Sequence, residues 1–123
     1  MSFRTDRQRA VGLGAAKSGP EHHWHMITTS IALLILIPLF VLSFGNALGG
    51  TYEEVLATYS RPYPSIIAGL TLVVGLIHFK NGAQVLIEDY VGGIKRKFTI
   101  IAVNMLSYTL IAAGLFGLVK LAL

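Results

Sequence analysis

The chain has 123 residues, 54% of them hydrophobic and only 13% charged, against roughly 25% charged in an ordinary soluble domain. A formal net charge of +4 would suit a nucleic-acid binder, but the basic residues flank long apolar runs, which excludes nucleic acid and points to a lipid membrane. Cysteine is absent, which removes disulfides, thiolate iron–sulfur ligation and cysteine zinc sites.

No Asp, Glu, Lys or Arg lies between His25 and Glu53, between Arg61 and Lys80, or between Lys97 and Lys120. Backbone in lipid must satisfy its own hydrogen bonds, so the three gaps predict an all-α membrane protein with three transmembrane helices. Residues 1–25 are polar and carry Arg4, Arg7, Arg9 and Lys17 among glycines, which reads as a flexible cytoplasmic tail. A signal peptide does not fit, because the apolar run that follows exceeds an h-region of about 7–15 residues. Glu21-His22-His23-Trp24-His25 sits at the mouth of the first span and reads as an interfacial belt. The three imidazoles do not converge on one helix face, so a dedicated metal site is disfavoured.

Span one is expected over 26–48, with Pro38 kinking it and Gly45 and Gly49 forming a GxxxG pair. A loop over 50–61 carries Glu53, Glu54 and Arg61. Pro62 and Pro64 then set up span two over 64–87, where Lys80 can snorkel to the near surface. Asp89 and Tyr90 follow, and Gly92-Gly93 is the expected helix stop. Span three is expected over 98–121; its Asn104, Ser107 and Tyr108 suit helix–helix hydrogen bonds. The domain organisation is therefore a tail, 1–25, and a three-helix anchor, 26–121. Four basic residues precede span one, one lies in the first loop, three in the second and one near the carboxyl end. The positive-inside rule then places the amino terminus in the cytoplasm and the carboxyl terminus outside, with Asp89 and Tyr90 on the cytoplasmic side.

The stretch His78–Tyr90 carries the chemistry. An ionisable side chain inside a span is a functional candidate, and neutral imidazole is an axial ligand for haem iron. The eleven-residue step to Asp89 returns to nearly the same helix face about 16 Å further along the axis. Gly75 and Gly82 lie three residues before and four after His78, and two missing side chains leave a flat depression that a porphyrin would need. A histidine hydrogen-bonded across the bundle, with glycines serving packing alone, accounts for the same residues. Only one histidine lies at depth, so a haem held by two histidines would take its second ligand from a partner chain.

His78, Gly82 and Asp89-Tyr90 at this spacing, with His-His-Trp ahead of span one and three spans, resemble the bacterial type of succinate dehydrogenase hydrophobic membrane anchor, a component of complex II. The resemblance covers about residues 19 to 121. It implies that His78 is one axial ligand of haem b, its iron shared with a companion anchor of the cytochrome b556 type. It further implies that Tyr90 donates a hydrogen bond to ubiquinone, with Asp89 beside it. Partners would be that companion anchor, an iron–sulfur subunit and a flavoprotein subunit, in a bacterial inner membrane rather than a mitochondrial one. The family often has an arginine near the haem propionates at the start of span one. The matching stretch here reads Met26-Ile27-Thr28-Thr29, which leaves His25, Lys80 or partner residues for that contact. The competing expectations are the anchor of a quinol:fumarate reductase, and a small transporter or assembly subunit with a structural histidine. Against the transporter, spans one and three hold no acidic residue at depth.

Overall fold

The computed structural model describes residues 3–12, 14 and 18–123; Lys17 of the expected basic tail lies outside the described residues. Among the described residues five helices follow one another: α1 (Asp6–Val11), α2 (Ser18–Ala47), α3 (Tyr52–Tyr59), α4 (Pro62–Tyr90) and α5 (Gly93–Ala122). Three of them, α2, α4 and α5, are long and apolar enough to cross a membrane, as the charge gaps required.

All three start before the expected positions, and α4 and α5 also run past the expected ends, whereas α2 stops at Ala47. A helix of 30 residues is about 45 Å long, against roughly 30 Å of hydrocarbon, so each continues into the interface. Helix α2 takes in the whole histidine-rich segment, with Glu21 in its first turn, where a carboxylate complements the dipole. Pro38 lies inside α2, which continues on both sides of it. Gly45 and Gly49 do not form a helix-packing pair. Helix α2 ends at Ala47, Gly49 has φ +83°, and a side chain at either position would meet nothing of this chain within 4 Å.

Two short helices replace segments expected to be irregular. In the tail, Thr5 Oγ1 accepts from the Gln8 N–H at 3.2 Å while Gln8 Oε1 accepts from the Thr5 N–H at 3.0 Å. In the first loop, Glu54 Oε2 accepts from the Thr51 N–H at 2.8 Å, and Thr51 Oγ1 accepts in return from the Glu54 N–H. Both are capping boxes, which satisfy two orphan N–H groups at a helix start. Helix α3 then buries Tyr59 with Ala47 and Ala68, packed by Phe40, Val55, Leu118 and Leu121. Burial raises the Tyr59 phenol above its ordinary pKa.

Helix α4 is central. It packs against α2 on one flank and α5 on the other, and among the described residues no Cα of α2 comes within 8 Å of one of α5. Against α5, the missing side chain at Gly69 is faced by Leu115 and Leu118, and that at Gly114 by Leu72. Ser107 of α5 is 1% exposed and Asn81 of α4 8%, so these two polar residues lie among the most enclosed. The only link between α4 and α5 is Val91-Gly92, and Gly93 opens α5 at φ +64°, a conformation that glycine adopts without strain. Arg96 Nε donates to the Val91 carbonyl at 2.7 Å, holding this turn. A single layer of three helices has almost no interior, and Ile31, Leu34, Ile35, Leu42, Leu106 and Phe116 are all exposed on its faces.

Candidate functional site

His78 lies in the middle of α4 and is half-buried. Its Nδ1 is 2.9 Å from Thr29 Oγ1 of α2. The same hydroxyl lies 2.8 Å from the His25 carbonyl and 3.1 Å from the Met26 carbonyl. The contact with Thr29 is the one hydrogen bond of the ring among the described residues, and the other ring nitrogen, Nε2, makes none. One imidazole nitrogen is thus held and the other is free to ligate, an arrangement typical of a metal-binding histidine fixed from behind.

Gly75 and Gly82 face α2. A side chain at Gly75 would meet Leu33 Cδ2 at 3.9 Å, and one at Gly82 would meet Met26 Cε at 3.7 Å. Within this chain the depression beside His78 is therefore filled by the neighbouring helix. The glycines let α2 come close enough for Thr29 to reach the ring. Lys80 turns the other way, with Nζ 5.7 Å from the centre of the Tyr108 ring on α5, a cation–π contact.

The histidines at the start of α2 separate into two environments. His25 is exposed, with Nε2 3.9 Å from Glu21 Oε1. His22 is half-buried, and its Nε2 is enclosed with no partner among the described residues. It lines an open groove with His23, Met26, Ser30 and, from α4, Val85. No three His, Cys, Asp or Glu side chains come together among the described residues in a way that could hold a metal ion. A metal at His78 thus needs ligands from elsewhere.

Asp89 and Tyr90 form the last turn of α4 rather than the residues after it. Tyr90 is 82% exposed and Asp89 is exposed too. The turn is pinned on its other side, where Ile87 is buried and its carbonyl accepts from the Val91 N–H at 2.8 Å. The backbone of the pair is thus fixed while both side chains point away from this chain. Such a pair can supply a hydroxyl donor and a carboxylate to something docking on that end.

Thr29 is the residue that sequence reasoning missed. Its only local signal is a hydroxyl beside a second threonine on an apolar helix, which normally bonds back to its own helix and reports nothing of a partner.

The succinate dehydrogenase/fumarate reductase transmembrane subunit model matches residues 1–118. The chain is 38% identical over 123 residues to the succinate dehydrogenase hydrophobic membrane anchor subunit of Paracoccus denitrificans, covering 100% of this chain and 95% of the relative. It is 34% identical over 113 residues to the protein of the same name from Rickettsia bellii, covering 90% of each. The Rickettsia conorii protein of that name is 29% identical over 106 residues. No solved structure matches the chain significantly.

Proposed function

Because this chain belongs to the succinate dehydrogenase/fumarate reductase transmembrane subunit family, as a multi-pass membrane anchor, we propose that it helps to hold a b-type haem and to build a ubiquinone site. His78 would hold the haem iron through Nε2, and a companion anchor would supply the other protein ligand. The observation that carries this reading is the imidazole at depth whose one hydrogen bond among the described residues is through Nδ1, to Thr29 at 2.9 Å. The residues present fit one half of a two-histidine ligand set. They do not fit a self-contained haem pocket, since Leu33 and Met26 already occupy the glycine face.

When bound, the haem supplies a one-electron redox centre whose potential its ligands tune. The quinone chemistry falls to the last turn of α4. Tyr90 donates its hydroxyl proton in a hydrogen bond to a quinone carbonyl oxygen, where negative charge develops as electrons arrive. Asp89, beside it, holds or passes a proton at its carboxylate. Electrons reach this end from succinate through the flavoprotein and iron–sulfur subunits. The amino terminus is cytoplasmic, the carboxyl terminus periplasmic, and the membrane is the bacterial inner membrane. The exposure of Tyr90 and Asp89 supports the quinone role, since a site completed by partner chains leaves its residues uncovered in the isolated chain.

The test is the visible spectrum and pyridine haemochrome of the detergent-purified complex. A b-type band present in the wild type and lost in His78→Ala is the expected result. A colourless wild-type complex, or a band untouched by His78→Ala, would sink the proposal.

A further inference from the structure

We propose that Thr29 is the positioning residue for His78: its hydroxyl holds the proton on Nδ1, fixes the ring plane and so aims the Nε2 lone pair away from α2. The proposal rests on His78 being an iron ligand and goes beyond it, because it says how this chain makes that histidine a ligand.

The Thr29 hydroxyl has one proton, and three groups lie within reach: the His25 carbonyl at 2.8 Å, the Met26 carbonyl at 3.1 Å and His78 Nδ1 at 2.9 Å. The two carbonyls can only accept. Hydroxyls along α2 donate back to their own helix in the same way: Thr28 to Trp24, Ser30 to Met26 and Ser43 to Leu39. With its proton directed to the His25 carbonyl, Thr29 Oγ1 offers His78 only a lone pair. Nδ1 must then be the protonated nitrogen. A neutral imidazole carries one N–H, so Nε2 is left as the base.

The opposite tautomer would place a proton on Nε2, which makes no hydrogen bond among the described residues; the ring's one such contact is through Nδ1. It would also require Thr29 to turn its proton away from two carbonyls. The glycines make the contact reachable. Met26 packs over Gly82 and Leu33 over Gly75, one turn to either side of the Thr29–His78 pair, so the two helices approach at that level.

A histidine that donates through its rear nitrogen is a more basic ligand, and the partner behind it typically changes metal affinity about 10- to 100-fold. A more basic ligand favours ferric iron over ferrous. Thr29→Val keeps the shape and removes the hydroxyl, whereas Thr29→Ser keeps the hydroxyl. In the purified complex, Thr29→Val should retain less haem, raise its midpoint potential and change the g values of the ferric low-spin signal. Thr29→Ser should return all three towards wild type. Thr29→Ala, which adds no bulk, repeats the valine measurement.

Wild-type potential and g values in Thr29→Val and Thr29→Ala overturn the proposal. So does loss of assembly in both, because a hydroxyl that only orients one ring is not needed for the helices to pack. His78→Ala separates the two levels. Haem retained there removes the ligand reading itself, whereas haem lost there with silent Thr29 variants removes only the role of Thr29.

Discussion

The two flanks of α4 meet their neighbours by different means. Towards α2, a threonine hydroxyl reaches a histidine 2.9 Å away, and the glycines around it make only ordinary contact with Leu33 and Met26. Towards α5 there is interlocking packing, with Leu72 filling the space beside Gly114, closed by Lys80 over Tyr108. One seam is close but loose and carries a polar handle; the other is tight. Small residues in membrane helices thus serve two ends here: on the α5 side they secure the pair, and on the α2 side they set the distance at which a side chain can act. The exposed Asp89-Tyr90 turn belongs to neither seam, which suits a site completed by other chains.

Substitutions can break this contrast. The largest effect is expected from Gly114→Leu, because the Leu72 methyls already occupy the place of a new side chain. Overpacking typically costs about 1–3 kcal/mol, which should lower the melting point and the yield of the assembled complex in detergent. Gly117→Leu is the comparison, since nothing of this chain lies within 4 Å of that position. If the two assembled equally well on size-exclusion chromatography, the α5 seam would not be the tight one.

Next is Tyr90→Phe, which removes a donor without touching either seam. Loss of one hydrogen bond to developing charge typically slows a step by about 10²–10³-fold, and quinone reduction should fall towards that range. Succinate oxidation with a soluble artificial acceptor should stay intact. Equal loss of both activities would mean an assembly defect instead.

Gly75→Ala and Gly82→Ala sharpen the other seam. Their new methyl groups would sit 3.9 and 3.7 Å from flexible side-chain ends, and alanine favours helix over glycine by up to about 1 kcal/mol. Stability should hold or rise slightly in a thermal melt, with haem content unchanged. Haem lost from either variant would show that the porphyrin lies against the glycine face. The smallest effect belongs to Lys80→Met, which gives up a cation–π contact worth roughly 0.5–1 kcal/mol and should lower the melting point slightly without changing the spectrum.

Much of this is legible from residue order. The three uncharged gaps mark the three long helices, and His78 stands out as the lone histidine at depth. The ends of the helices are not legible in the same way, because hydropathy marks where lipid begins, whereas a helix stops where its caps or glycines stop it. The histidines of residues 22–25 and the Asp89-Tyr90 pair are therefore helical. Helices α1 and α3 escape a hydropathy reading although Thr5–Gln8 and Thr51–Glu54 spell their capping boxes, a signal of two polar residues easily lost in a polar stretch. The Gly45–Gly49 pair is a misleading signal, since Gly49 lies beyond the end of its helix.

The amino-acid sequence alone determined the number, order and kind of the long elements, because in lipid each segment must satisfy its own backbone and that requirement is local. Only the tertiary structure decided that α4 lies between α2 and α5, that Gly75 and Gly82 face α2, and that Thr29 meets His78 across 49 positions of chain. Those choices depend on how two helix surfaces fit together. An apolar helix shows no preferred face when every side resembles the lipid around it, so hydropathy cannot single out the face that packs.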